Sequence, residues 1–236
     1  MKAKFIYEAL ENSIIVYHGS GNKLELDSIE INRENLVNID QKGTGSKGYG
    51  FYVTKDLWDN SRDNDKRIFQ SLYKEGTKGN QSAEKYAQWS FDKTKKAYIY
   101  KIELNSNIKL KYNNDANVTK EELQEYIKAG YDGLSDKNEG VIFNKEKIKS
   151  LKLIYYADDF MIEVAEFEKG KINHDNAKII PQKYLNVLLK KSLGETYKFA
   201  YKTKKENYPV YWDNLEDAKK AMIVMRFQIL DWKKIK

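Results

Sequence analysis

The sequence predicts an α+β fold, and three observations carry that expectation. Short β-branched and aromatic runs recur at 13–17, 49–54, 97–104, 139–143 and 150–156, several with the period of two that a half-buried strand needs. Two other stretches carry helix-start chemistry instead: Ser82 stands before Ala83, Tyr86 and Ala87, and Thr119-Lys120-Glu121-Glu122 forms a capping box before Leu123, Tyr126 and Ile127. The 236 residues are 41% hydrophobic and 33% charged, enough to bury a core, with no window near the roughly 18 uninterrupted apolar residues of a spanning helix.

Taken in order, residues 13–17 read as a strand entering His18-Gly19-Ser20-Gly21, where the glycines suggest a turn. Gly43-Thr44-Gly45-Ser46-Lys47-Gly48 matches a dinucleotide fingerprint by letter. It leads into a strand-like run instead of a helix, so it reads as a loop. Residues 56–79 are polar and charged, with a possible helical piece at 67–73. The helix opened by Ser82 comes next, then the strand at 97–104, then the capped helix that Gly130 stops. Strands at 139–143 and 150–156 complete this part, and no internal repeat is visible. Beyond a link near 174–178 the reading is a helix at 181–191, strands at 197–203 and 210–212, and a helix at 214–230. Two domains are therefore expected, 1–177 and a basic, aromatic-rich α/β lobe at 178–236.

Composition removes several chemistries. There are no cysteines, so disulfides, thiolate nucleophiles and thiolate metal sites are absent, and two histidines make a poor zinc set. No metal is expected. The N-terminal Met1-Lys2-Ala3-Lys4-Phe5-Ile6-Tyr7-Glu8 breaks on charge before an apolar run develops, so a signal peptide is not expected and the cytosol is the expected location, with no membrane partner.

The net charge of +7 is unevenly placed. Residues 178–236 hold 14 basic and 6 acidic residues, leaving 28 basic and 29 acidic for 1–177. The whole excess lies in the last quarter. There Tyr197-Lys198-Phe199-Ala200-Tyr201-Lys202 would put three aromatics on one strand face and two lysines on the other. Such a surface suits single-stranded nucleic acid, although alternating aromatics also suit an ordinary half-buried strand.

One ordered series carries chemistry. A strand runs into His18-Gly19-Ser20, followed by Gly50-Phe51-Tyr52-Val53-Thr54, Ala83-Glu84-Lys85-Tyr86-Ala87, Tyr98 to Leu104, Tyr131-Asp132-Gly133 and Glu139-Gly140-Val141-Ile142-Phe143. These residue types suit cleavage of a nicotinamide glycosidic bond. Two aromatic faces, Tyr52 and Tyr86, can clamp a flat cation. Gly19 lets backbone groups approach a carboxamide, and His18 can hydrogen-bond a ribose hydroxyl through either ring nitrogen. A carboxylate, Glu139, can stabilise the oxocarbenium ion that grows as the bond breaks. Each residue also has a structural alternative: strand-end capping for His18, core packing for Tyr52 and Tyr86, and a solvated strand start for Glu139.

Over about residues 14–156 this order resembles the His-Tyr-Glu branch of the ADP-ribosyltransferase fold, the branch of diphtheria-type toxins and poly(ADP-ribose) polymerases. The resemblance implies a split β-sandwich with flanking helices and NAD as cosubstrate. It implies that His18 binds the adenine-side ribose, Tyr52 and Tyr86 stack on nicotinamide, Ser20 lies near the nicotinamide-side ribose, and Glu139 orients that ribose. Two departures stand out. Thirty residues separate Tyr52 from Ala83 where typical members have a short stretch, and within it Arg62, Lys66 and Arg67 are candidates to grip pyrophosphate. Arginine-modifying relatives carry a glutamate two positions before the catalytic one; here that residue is Lys137, which argues against an arginine acceptor.

The resulting expectation is a mono-ADP-ribosyltransferase acting on an intracellular macromolecule, as a toxin or as a phage or anti-phage effector with a possible antitoxin partner. A nucleic-acid acceptor is favoured slightly over a protein. An NAD glycohydrolase and a non-enzymatic nucleic-acid-binding module are the alternatives.

Overall fold

The computed structural model describes residues 13–29, 31, 50–59, 76–113, 118–168, 171–181, 183 and 221–236. The loop at 43–48, the helical piece at 67–73, Arg62, Lys66, Arg67, the helix at 181–191 past its first residues and the strands at 197–203 and 210–212 lie outside them. The chain divides into two compact units, Met1–Tyr156 with Lys234–Lys236, and Ala157–Lys233. The observed architecture is mixed α+β, mostly sheet with two helices among the described residues.

In the first unit the strands are β1 (Ser13–Ser20), β2 (Phe51–Thr54), β3 (Trp58–Asp59), β4 (Lys78–Gly79), β5 (Ala97–Asn105), β6 (Leu110–Tyr112), β7 (Gly133–Ser135), β8 (Glu139–Ile142) and β9 (Ile148–Ala157), with helices α1 (Ala83–Thr94) and α2 (Lys120–Lys128). One sheet runs β9-β5-β1-β2-β8-β7-β6, with the short β13 (Lys233–Lys234) outside β9. The strand pattern of residues 97–104 appears directly as β5, whose Ala97, Ile99, Tyr100, Ile102 and Leu104 are all buried. Both helix starts hold as read: Ser82 Oγ accepts the Lys85 N–H, and at α2 Thr119 and Glu122 exchange the two bonds of a capping box. Gly130, just past α2, takes the left-handed φ of 81° that ends a helix cheaply.

Strand β1 differs from its expectation. The turn expected at 18–21 does not begin at His18, because β5 pairs with all eight residues of β1, from Ser13↔Asn105 to Ser20↔Tyr98. Gly19 serves a different need. A Cβ there would lie 1.8 Å from the Ala83 carbonyl oxygen and 2.7 Å from the Ala87 nitrogen, so the glycine lets α1 lie directly on the strand.

Among the described residues, two apolar clusters flank the sheet. Val16, Phe51, Val53, Tyr100, Ile102, Leu104 and Ile142 pack on one face; Leu123 of α2 joins Val118, Leu134, Val141 and Phe143 on the other, with Tyr52 against them. Asp132, one of the residues in the ordered series, is a brace. Its carboxylate accepts the Lys109 N–H and the Asn144 side-chain amide, and its carbonyl accepts the Phe143 and Asn144 N–H groups.

The second unit is a three-stranded antiparallel sheet with β10 (Phe160–Glu168) between β11 (Lys171–Pro181) and β12 (Ala221–Leu230). The link expected near 174–178 lies inside β11. The helix expected over 214–230 is corrected over its described part, since Ala221–Leu230 is a strand paired with β10 from Phe160↔Leu230 to Phe167↔Ala221. Ala221-Met222-Ile223-Val224-Met225 is an unbroken apolar run, which fits a strand as readily as a helix, and the pairing with β10 decides it. Among the described residues no helix is long and apolar enough to cross a membrane.

Candidate functional site

Three adjacent strands carry the residues singled out above: His18, Gly19 and Ser20 on β1, Tyr52 on β2 and Glu139 on β8. Strands β2 and β8 pair throughout, with Thr54 opposite Glu139 and Tyr52 opposite Val141. Strands β1 and β2 pair at one position only, Tyr17↔Thr54, and carry no paired position beyond it. The sheet therefore parts just where Gly19 and Tyr52 would have faced each other.

Pleat alternation assigns the faces. Directly opposed residues share a face, so Tyr17, Thr54, Glu139 and Tyr52 lie together on the side that α1 covers. His18 lies on the opposite side. Its ring stacks on Phe51 at 4.4 Å between centroids and tilts against Tyr100 at 6.4 Å. From there Nδ1–H donates to the Tyr52 carbonyl at 2.7 Å, across the gap where ladder pairing has ceased. A carbonyl only accepts, so Nδ1 carries the proton and Nε2 is the nitrogen left for a ligand. The choice of either nitrogen is thereby narrowed to one.

Burial pushes the His18 imidazole down to about 4, against a smaller upward pull from its bond to Tyr52. The ring is neutral at pH 7. Its ordinary value is 6.5, so between pH 6.5 and 4 the unfolded chain binds a proton that the folded chain refuses. Stability from this group is therefore complete above about pH 6.5 and is lost as pH falls toward 4. We expect His18→Gln to flatten that part of the stability profile, by at most about 3 kcal/mol, in urea titrations at pH 4.5 and 7.5. An unchanged slope would show that the imidazole is solvated.

Tyr86 reaches the site from α1, and the helix start that places it is fully satisfied. Ala83 N–H donates to the Asp56 carbonyl, Glu84 N–H to the Leu57 carbonyl, and Lys85 N–H to Ser82 Oγ, all at 3.0–3.2 Å. Two of the donors that a helix leaves open at its N-terminus are thus taken by the segment following β2, and a third by the Ser82 side chain. That segment is itself pinned by the Leu57 and Trp58 N–H bonds to the Thr77 carbonyl and by the parallel pairing of β3 with β4. The long interval between Tyr52 and α1 begins and ends in the same place.

The Tyr86 hydroxyl donates to Glu139 Oε2. Burial raises the Tyr86 pKa strongly, the bond and charge of Glu139 raise it further, and Tyr52 and Asp136 add to this. The phenol stays protonated. Glu139 opens β8, as expected, but it is buried at 8% exposure, so it is not the solvated strand-start residue weighed as its alternative.

Its placement depends on a residue that sequence reasoning missed. Asp136 Oδ1 accepts the N–H groups of Asn138 at 2.7 Å and Glu139 at 2.9 Å, and the Asp136 N–H donates to the Glu139 carbonyl. This side-chain turn fixes the backbone that presents the carboxylate. The signal was present, an aspartate two residues before an asparagine between strand runs. Replacing Asp136 with alanine is expected to cost about 1–2 kcal/mol in urea unfolding, as loss of a capping carboxylate does.

The structure thus brings Glu139, Tyr86 and Tyr52 together on one face and joins His18 to them through the Tyr52 carbonyl. Gly19 lies under α1 at the parting of the strands. Ser20 stands apart from this group; its Oγ accepts the Asn22 N–H at 3.0 Å in a local turn. Among the described residues no group of three or more His, Asp or Glu side chains is arranged to hold a metal ion. The chain matches no protein-family model, no curated protein and no solved structure.

Proposed function

We propose that this chain is an NAD-dependent mono-ADP-ribosyltransferase of the His-Tyr-Glu type. The observation that supports it most is the Tyr86–Glu139 contact. A helix-borne phenol meets the carboxylate of a late strand, beside Tyr52, at the place where two neighbouring strands part. Three residues chosen for one reaction, Tyr52, Tyr86 and Glu139, come from three separate segments and meet there, with His18 bonded to the Tyr52 carbonyl from the other face.

In this reading the two phenol rings hold the nicotinamide ring, and the neutral His18 accepts a hydrogen bond at Nε2 from a hydroxyl of the adenine-side ribose. Cleavage breaks the bond between ribose C1′ and the pyridinium nitrogen, and the bonding pair leaves on nicotinamide as a neutral ring. Glu139 stabilises the positive charge left on the ribose, in a setting poor in water. The acceptor's lone pair then bonds to C1′ and the acceptor loses a proton. Tyr86 holds Glu139 before the ribose arrives, and its hydroxyl makes the bond that a ribose hydroxyl takes over.

The test is incubation of the full chain with labelled NAD and a cell extract, followed by separate nuclease and protease treatment. Nicotinamide release with label on a macromolecule supports the reading. Release without macromolecular label makes the chain an NAD glycohydrolase, and the absence of any release sinks the enzymatic reading. As a transferase it would act as a toxin or as a phage or anti-phage effector, a role that calls for an antitoxin in its own cell.

A further inference from the structure

Among the described residues Trp89 is the most exposed large apolar side chain, at 58%, and it sits on the helix that carries Tyr86. The two rings meet edge to face, 5.2 Å between centroids at 89°. A single tyrosine therefore separates the indole from Glu139. The Lys85 ammonium lies 5.3 Å from the indole centroid and donates to the Asn80 carbonyl, so two of its three N–H donors are left.

The surroundings extend that charge. Lys85, Trp89 and Lys93 follow one another at intervals of four residues, a row that drifts by about 80° around the helix over about 12 Å. Lys93, Lys95 and Lys96 are exposed. Glu84, an acidic residue of the same helix, points inward: it is fully buried and accepts the Asp59 N–H and the Gln88 amide. Between 83 and 96 the chain has four lysines against Glu84 and Asp92.

We propose that this face of α1 is the docking site for single-stranded nucleic acid, with a base stacked on Trp89 and its phosphates paired with Lys85 and Lys93. The ligand chemistry follows from the pair of features. An indole kept in water beside a fixed ammonium offers a π-surface to any base, and the lysine row follows a backbone without reading sequence. A duplex hides its bases from such a ring. The proposal rests on the transferase reading only for what happens to the strand once bound, since it would place an unpaired base next to Tyr86 and Glu139.

The experiment uses the full chain, without NAD, and fluorescein-labelled 12-mers of dT and rU alongside a duplex of equal length, with anisotropy read from 50 to 200 mM salt. Trp89→Ala is expected to weaken single-strand binding about tenfold or more, while Trp89→Phe retains most of it. Lys93→Glu is expected to lower the slope of log K against log salt by at least about 0.7. A greater loss for dT or for rU identifies the kind of strand preferred. Unchanged affinity in Trp89→Ala and Lys93→Glu, equal loss for the duplex, or no binding by the unaltered chain would overturn the proposal. Thermal unfolding of the variants checks that they fold. NAD turnover of the unaltered chain is measured separately: its absence with strand binding intact removes the transferase reading and leaves this surface standing.

Discussion

Glu139→Gln is expected to lower nicotinamide release from NAD by about 10²–10³-fold at saturating NAD, with little change in KM or in folding stability. The amide keeps the volume of the carboxylate, can still accept from the Tyr86 hydroxyl, and leaves the Asp136 bonds to the backbone untouched. Only the charge is removed. Charge stabilisation is needed when the ribose turns cationic, so the loss should fall on kcat. High-performance chromatography of released nicotinamide gives the number. Turnover equal to that of the unaltered chain would mean that Glu139 is a structural partner of Tyr86 and that the reaction, if any, lies elsewhere.

Gly19→Ala should be the most destabilising methyl that can be added to β1. The new Cβ would overlap the Ala83 carbonyl oxygen at 1.8 Å, and the groups in its way are helix backbone rather than the end of a flexible side chain. Small-to-large changes in packed sites cost about 1–3 kcal/mol, and a helix forced off its strand belongs at or above the top of that range. Urea unfolding should show a loss of about 3 kcal/mol or more. A loss below about 1 kcal/mol would mean that α1 slides easily on β1, and the position of Tyr86 would then not be set by this contact. The prediction also separates two uses of one glycine. If its main value were access for a ligand, Gly19→Ala would leave stability intact and harm binding alone.

Much of the first unit was legible because local chemistry and tertiary demand agree there. Alternation along residues 97–104 becomes the buried β5, and the Ser82 and Thr119 caps mark both helices, since each cap bond joins residues three apart. Ser13–Ser20 runs past the turn its sequence suggests because Gly19 serves close packing rather than a turn. Ala221–Leu230 is a strand where a helix is expected because an apolar run has no period, so only its partner strand reveals its state. Lys171–Pro181 is hard to read as a strand because Asn173, His174, Asp175 and Asn176 give it little strand character; it pairs with β10 on either side of them, at Lys171–Asn173 and Lys178–Pro181, with a register shift between. Of the site, the residue types were visible, but the support was not. The bonds from Ala83 and Glu84 to the Asp56 and Leu57 carbonyls run between backbone groups about 27 positions apart and leave no trace in side-chain pattern. Nor does sequence say that Trp89 of an amphipathic helix faces water while Phe91 is buried.

The stretch between β3 and β4 leaves and rejoins the protein at adjoining strands, and the bonds that seat α1 come from residues outside it. A span anchored in this way is free to change length over evolutionary time: each doubling adds only about 0.6 kcal/mol of closure entropy, and the contact of Tyr86 with Glu139 keeps its geometry. Under the proposed function, insertions and deletions in this stretch would be a way to change the acceptor while Tyr52, Tyr86 and Glu139 stay as they are.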